Sequence, residues 1–86
     1  MDVKDDLRAA LLRYESFEFE VMPRVYERIT PNYGGGWHYY RYIHGNSGYP
    51  PDLTIIYQPS ELDELMARLE HTGALAIYAR SRQDDA

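Results

Sequence analysis

The chain has 86 residues, of which 9 are basic and 14 acidic, contains no cysteine and carries a formal net charge of −5. Its length fits a single small domain over residues 1–86, and its hydrophobic content of 44% argues against a disordered chain. The charge argues against a general nucleic-acid binder. The missing cysteines exclude disulfides, thiolate nucleophiles and cysteine zinc sites, and no apolar run approaches the ~20 residues of a membrane span.

The start, MDVKDDLRAA, is acidic. It lacks the basic-then-apolar form of a secretion signal, and a cytoplasmic location is expected. Val3, Leu7, Ala10, Leu11 and Tyr14 have the three-four spacing of one helix face, which predicts a helix over 2–14. Residues 16–30 read two ways. Phe17, Val21, Val25 and Ile29 repeat every four residues, as on a helix. Phe17, Phe19 and Val21 also alternate with Glu18 and Glu20, as on a half-buried strand. Pro23 suits the first turn of a shorter helix, or a break between a strand and a helix. Helix is the favoured reading, ended by Thr30-Pro31.

Three glycines, Gly34 to Gly36, precede the aromatic run WHYYRYI, which predicts a strand over 37–43. One face of it carries Trp37, Tyr39, Arg41 and Ile43; the other carries His38, Tyr40, Tyr42 and His44. Gly45 to Gly48 and Pro50-Pro51 form a long connection with an exposed, mobile tip, and Leu53 to Tyr57 returns as a strand. Ser60 is placed as the N-cap of a helix over 61–72, with Leu62, Leu65, Met66 and Leu69 as its apolar stripe and Gly73 as its stop. Residues 74–79 alternate like a short strand, and the polar tail 81–86 is expected to fray. The whole reads as an α+β domain: a small, largely antiparallel sheet of three strands, or four, with two or three helices on one face.

The residues that could carry chemistry favour bland roles. His38 and His44 are six residues apart, ~20 Å along a strand, too far to share a metal. His71 sits near a helix end, where a cation is favoured. Ser47 and Ser60 suit a turn and a cap, and neither has a nucleophile-elbow context. Glu18 and Glu20 read as a solvated face, and the glycine run lacks the lysine of a phosphate loop. No catalytic residue, no metal site and no cofactor is expected.

The aromatic block is different. Six of the nine tyrosines, with the only tryptophan, lie between Tyr33 and Tyr57. The predicted strand is aromatic on both faces, and a small sheet buries only one face well. Core packing, a protein interface and base stacking all remain open. Residues 31–60 hold one basic side chain, Arg41, too little for a groove that tracks phosphates. Tyrosine and tryptophan dominate protein-interface hot spots. The candidate contact residues are Tyr33, Trp37, Tyr39, Tyr40, Tyr42 and Tyr49. The acids Glu61, Asp63 and Glu64 of the last predicted helix would steer a basic partner.

Around this block Glu20, Val25, Ile29, Tyr33, Gly34, Gly35, Trp37, Tyr39, Tyr40, Gly48 and Pro51 fall in an ordered pattern. On those residues the chain resembles the plasmid antirestriction family of the KlcA/ArdB type, over roughly residues 17–52. The resemblance implies a helix within residues 17–30. It also implies a small non-enzymatic protein of a plasmid or phage that interferes with host DNA defence. Small acidic anti-CRISPR proteins of phages form a neighbouring class by size and charge. The expected function is inhibition of a host DNA-defence complex, antirestriction or anti-CRISPR, by steric or electrostatic blocking. The expected partner is that complex, including its basic DNA-binding surface, with no direct contact to nucleic acid or membrane. The alternative is a structural or oligomerisation module that forms a homodimer through the aromatic sheet face.

Overall fold

Helix α1, Val3–Leu12, begins where the Asp2 carboxylate accepts a hydrogen bond from the Lys4 N–H. It ends in two reverse hydrogen bonds, Tyr14 N–H to the Leu11 carbonyl and Glu15 N–H to the Ala10 carbonyl. That pattern needs a left-handed residue, and here Tyr14 takes the role at φ 58°. The computed structural model describes residues 2–43, 51 and 53–84. Strands follow at Phe17–Met22 (β1), Val25–Pro31 (β2), Trp37–Ile43 (β3) and Leu53–Tyr57 (β4). They form one antiparallel sheet in the order β1-β2-β3-β4. A short turn, Pro59–Glu61, leads into α2, Leu62–Thr72, and α3 covers Ala74–Asp84. The α+β class and the mainly antiparallel sheet are as the sequence predicts.

Residues 17–30 depart from the favoured helix, including the helix that the family resemblance implies. They form the hairpin of β1 and β2, with Met22 opposite Val25. Every apolar residue that suggested a helix is odd-numbered, and a repeat of four is also two periods of a strand. Pro23 and Arg24 make the two-residue turn, with Arg24 at φ 68°. Proline pre-sets the first turn position, and the second is left-handed, as in a type II turn.

Residues 74–79 also depart from the reading as a strand. Gly73 stops α2 at φ 95°, and the Ile77 N–H already bonds the Gly73 carbonyl, so α3 starts at once. Ala74 and Tyr78, one helical turn apart, are the buried positions. Alanine, leucine and arginine in this segment favour helix over strand. The tail expected to fray is helical through Asp84. Ser60 is not the cap of α2 either. The Glu61 carboxylate accepts from the Gln58 N–H at 2.7 Å, so the reciprocal capping contact lies around the preceding turn.

The core sits between the helices and one sheet face. Leu7 and Leu11 of α1, Leu65, Met66 and Leu69 of α2, and Ala74 and Tyr78 of α3 pack with Phe19, Ile29, Trp37, Tyr39 and Tyr57. The sheet contributes odd-numbered residues alone, so a single face is buried and the opposite face is left to solvent. Asp6 ties α1 to α3, accepting from Tyr78 Oη at 2.5 Å and pairing with Arg82 at 3.2 Å.

Candidate functional site

Strand alternation assigns the aromatic block of β3 to two environments. Trp37 and Tyr39 point inward and are 1% and 0% exposed. They therefore hold the sheet to the helices and offer no contact surface, in contrast to the role expected of them. The Trp37 indole donates to the Leu11 carbonyl at 2.9 Å, and its ring stacks on Tyr14 at 5.7 Å. Tyr39 lies edge-on to Tyr57, beneath the Arg68 guanidinium at 5.4 Å. Burial first, and then the neighbouring Glu27 carboxylate, pushes the Tyr39 phenol well above its usual range. Glu27 itself is fully buried, and its carboxylate accepts from Thr72 Oγ1 at 2.8 Å. Arg41 is its cross-strand neighbour on the same face, which places an opposite charge beside it.

Tyr40 and Tyr42 point outward. Their neighbours across the register are Arg28 and Tyr26 of β2, and beyond these Glu18 and Glu20 of β1. Tyr26 and Tyr42 stack with ring centres 5.4 Å apart. Tyr42 Oη donates to Glu18 at 2.5 Å, and this hydrogen bond is the main cause that pushes its phenol up to about 12. A hydrogen bond to Glu20 likewise raises the Tyr26 phenol. Arg28 lies 5.9 Å over the Tyr40 ring, and His38 meets that ring edge-on at 5.1 Å. The result is a continuous platform of three tyrosines and a histidine, each side chain fixed by a neighbour. No described helix covers it, and none of its residues belongs to the core.

Glu18 and Glu20 are exposed and are occupied as hydrogen-bond acceptors of phenols. Among the described residues no three His, Asp or Glu side chains come together to hold a metal ion. Two acids, Glu18 and Glu20, stand against one arginine, Arg28, so the face lacks the positive excess that phosphates require.

The other expected contact residues are scattered. Tyr33 is fully exposed on the turn between β2 and β3. Tyr49 lies outside the described residues, as does the tip of the connection between β3 and β4. Asp63 is on the α1 side of α2, paired with Arg8. Glu61 and Glu64 line a separate open groove of about 680 Å³ between β4 and α2, with Ile55, Arg68 and His71. The three acids therefore form no single steering patch. Tyr26 and Arg28 were not among the expected contacts. Their signal was present in the sequence: once Pro23-Arg24 is a hairpin turn, even-numbered residues of 18–30 share a face with Tyr40 and Tyr42.

No family model, curated protein or solved structure matches the chain. No helix among the described residues is long and apolar enough to cross a membrane.

Proposed function

We propose that this chain is a small non-enzymatic binding protein that holds a protein partner on the open face of its sheet. The observation that carries this reading is the uncovered run Tyr26, Tyr42 and Tyr40, locked by stacking and by Glu18, Glu20 and Arg28. Tyrosines held in place lose little freedom on docking, and their rings bring large contact area. Near-neutral charge on this face favours protein over nucleic acid as the ligand. The partner class is the one the sequence resemblance suggests, a host DNA-defence complex in the cytoplasm, blocked sterically.

The test is capture from host lysate by wild type and by the Tyr40→Ala/Tyr42→Ala variant, run beside phage restriction in the same host. The reading expects a restriction or CRISPR component with wild type, its loss with the variant, and restriction relieved by wild type alone. Recovery of no such component, together with unchanged restriction, overturns it.

A further inference from the structure

Helix α2 carries charge on two flanks, and among the described residues only one flank forms ion pairs within the chain. On the other, Glu61 accepts from the Gln58 N–H and Arg68 donates to Tyr57 Oη. Towards α1, Asp63 pairs with Arg8, and Glu70 pairs with Lys4 at 3.0 Å. Rising numbers in α2 meet falling numbers in α1, so the two helices match charges antiparallel. On the groove flank stand Glu61, Glu64, Arg68 and His71. Their spacings of three and four place them on one stripe of the helix. The acids hold the N-terminal half of that stripe and the basic groups hold the C-terminal half. Among the described residues Glu64 and His71 form no ion pair.

This pattern is its own antiparallel complement. The pairs Glu61 with His71, and Glu64 with Arg68, are both centred on the level of Met66. A two-fold axis there sets each acid opposite a basic group of an identical helix. Ala67, small and exposed in the same groove, leaves room for a second backbone to approach.

The strand beneath has the matching property. β4 is an edge of the sheet, and its sequence, LTIIY, has none of the charges or prolines that usually blunt an edge. Ile56 is 50% exposed. Five strand residues and eleven helical residues each cover ~17 Å, so the midpoints of β4 and α2 come level as the chain doubles back.

We propose that a second copy of this chain occupies the groove, pairing β4 with β4 and α2 with α2 about one two-fold axis perpendicular to the sheet. The interface is isologous, so each contact occurs twice. The two sheets run on as one, and both tyrosine faces come to the same side of it. Tyr42 has no register partner on β4, and Tyr26 lies one strand further away, so this dimer does not depend on what those two rings bind.

Sedimentation equilibrium of the full chain, from about 1 to about 200 μM, tests it. Wild type is expected to move from monomer to dimer across the series. Ala67→Glu and Ile56→Lys, both at exposed positions, should hold it monomeric, while Tyr42→Ala, at a position with no register partner on β4, should leave the dimer intact. Glu64→Arg places like charges across the axis and should weaken association about tenfold or more. It also keeps the test decisive should either of the first two variants lose its helical circular dichroism. A wild-type monomer throughout the series overturns the proposal, whether or not a strand of another protein then takes the β4 edge. A dimer that survives Ala67→Glu, Ile56→Lys and Glu64→Arg overturns it too, as does one lost in Tyr42→Ala.

Discussion

The two faces of β3 have almost the same composition and opposite fates. Trp37 and Tyr39 are sealed beneath three helices, whereas Tyr40 and Tyr42, their neighbours in sequence, lie half-exposed among Tyr26, Arg28 and His38. On the inner face the rings are packed on all sides by Leu7, Leu11, Ile29 and Leu65. On the outer face each ring is held by another ring or by a charge and stays part-exposed. Composition alone does not tell a core tyrosine from a contact tyrosine. The number of layers does: a sheet with helices on one side has one face to spare.

Truncating one ring from each face separates their roles most strongly. Trp37→Ala removes the largest buried side chain and leaves the Leu11 carbonyl without its indole donor. A loss of about 3–5 kcal/mol is expected from urea or thermal unfolding, enough to unfold much of a domain this small. Tyr40→Ala should cost no more than about 1 kcal/mol by the same measurement. Equal losses at the two positions would show that the outer face is also covered.

A somewhat smaller effect is expected at the join between the inner face and the glycine turn. Gly36 sits at φ 81°, and a Cβ there would lie 2.1 Å from the Tyr57 carbonyl oxygen. Gly36→Ala therefore combines a left-handed alanine with a backbone clash that only a shift of β4 can relieve. About 2–3 kcal/mol of destabilisation follows, readable as a lowered unfolding midpoint.

Alkaline titration probes a tyrosine of each face without a mutation. Tyr39 on the inner face and Tyr42 on the outer face both have phenols raised above the usual tyrosine value of about 10, Tyr42 to about 12. Their protons are held in the folded chain at a pH where the unfolded chain has already released them. The associated stability is complete below pH ~10 and is lost as pH rises from there towards the folded values. Urea unfolding at stepped pH should show that decline, and Tyr42→Phe should make it shallower. A decline unchanged in Tyr42→Phe would remove Tyr42 from the account. The smallest effect is at the hairpin turn, away from both faces. Asparagine tolerates the left-handed region better than arginine, so Arg24→Asn should raise stability by about 0.5 kcal/mol.

Much of this architecture was legible in the sequence. The helix at Val3–Leu12, both strands around the long connection, and the helix stopped by Gly73 all follow from spacing and breakers. Residues 17–30 misled because Phe17, Val21, Val25 and Ile29 satisfy two periods at once. The choice between the periods is made by pairing with β3, which is a tertiary contact. Residues 74–79 misled because six residues are too short a window to separate alternation from a helical turn. The candidate site was half legible. The aromatic run marked the right strand, but which of its faces is open depends on where three helices pack. Tyr26 and Arg28 join the site only through the β1–β2 hairpin, so the misread hairpin also hid them. Glu27 gave no sign of burial, since its place is fixed by Thr72, 45 residues further along.

The lone tryptophan of the chain makes the two faces separable by light. Trp37 is 1% exposed, stacked on Tyr14 and hydrogen-bonded to the end of α1. Its emission should be shielded from dissolved quenchers and should report whether α1 is seated on the sheet. Events on the open face lie behind the strand from it and should leave that emission nearly unchanged. Loss of folding and loss of partner binding can then be followed in one sample by independent signals.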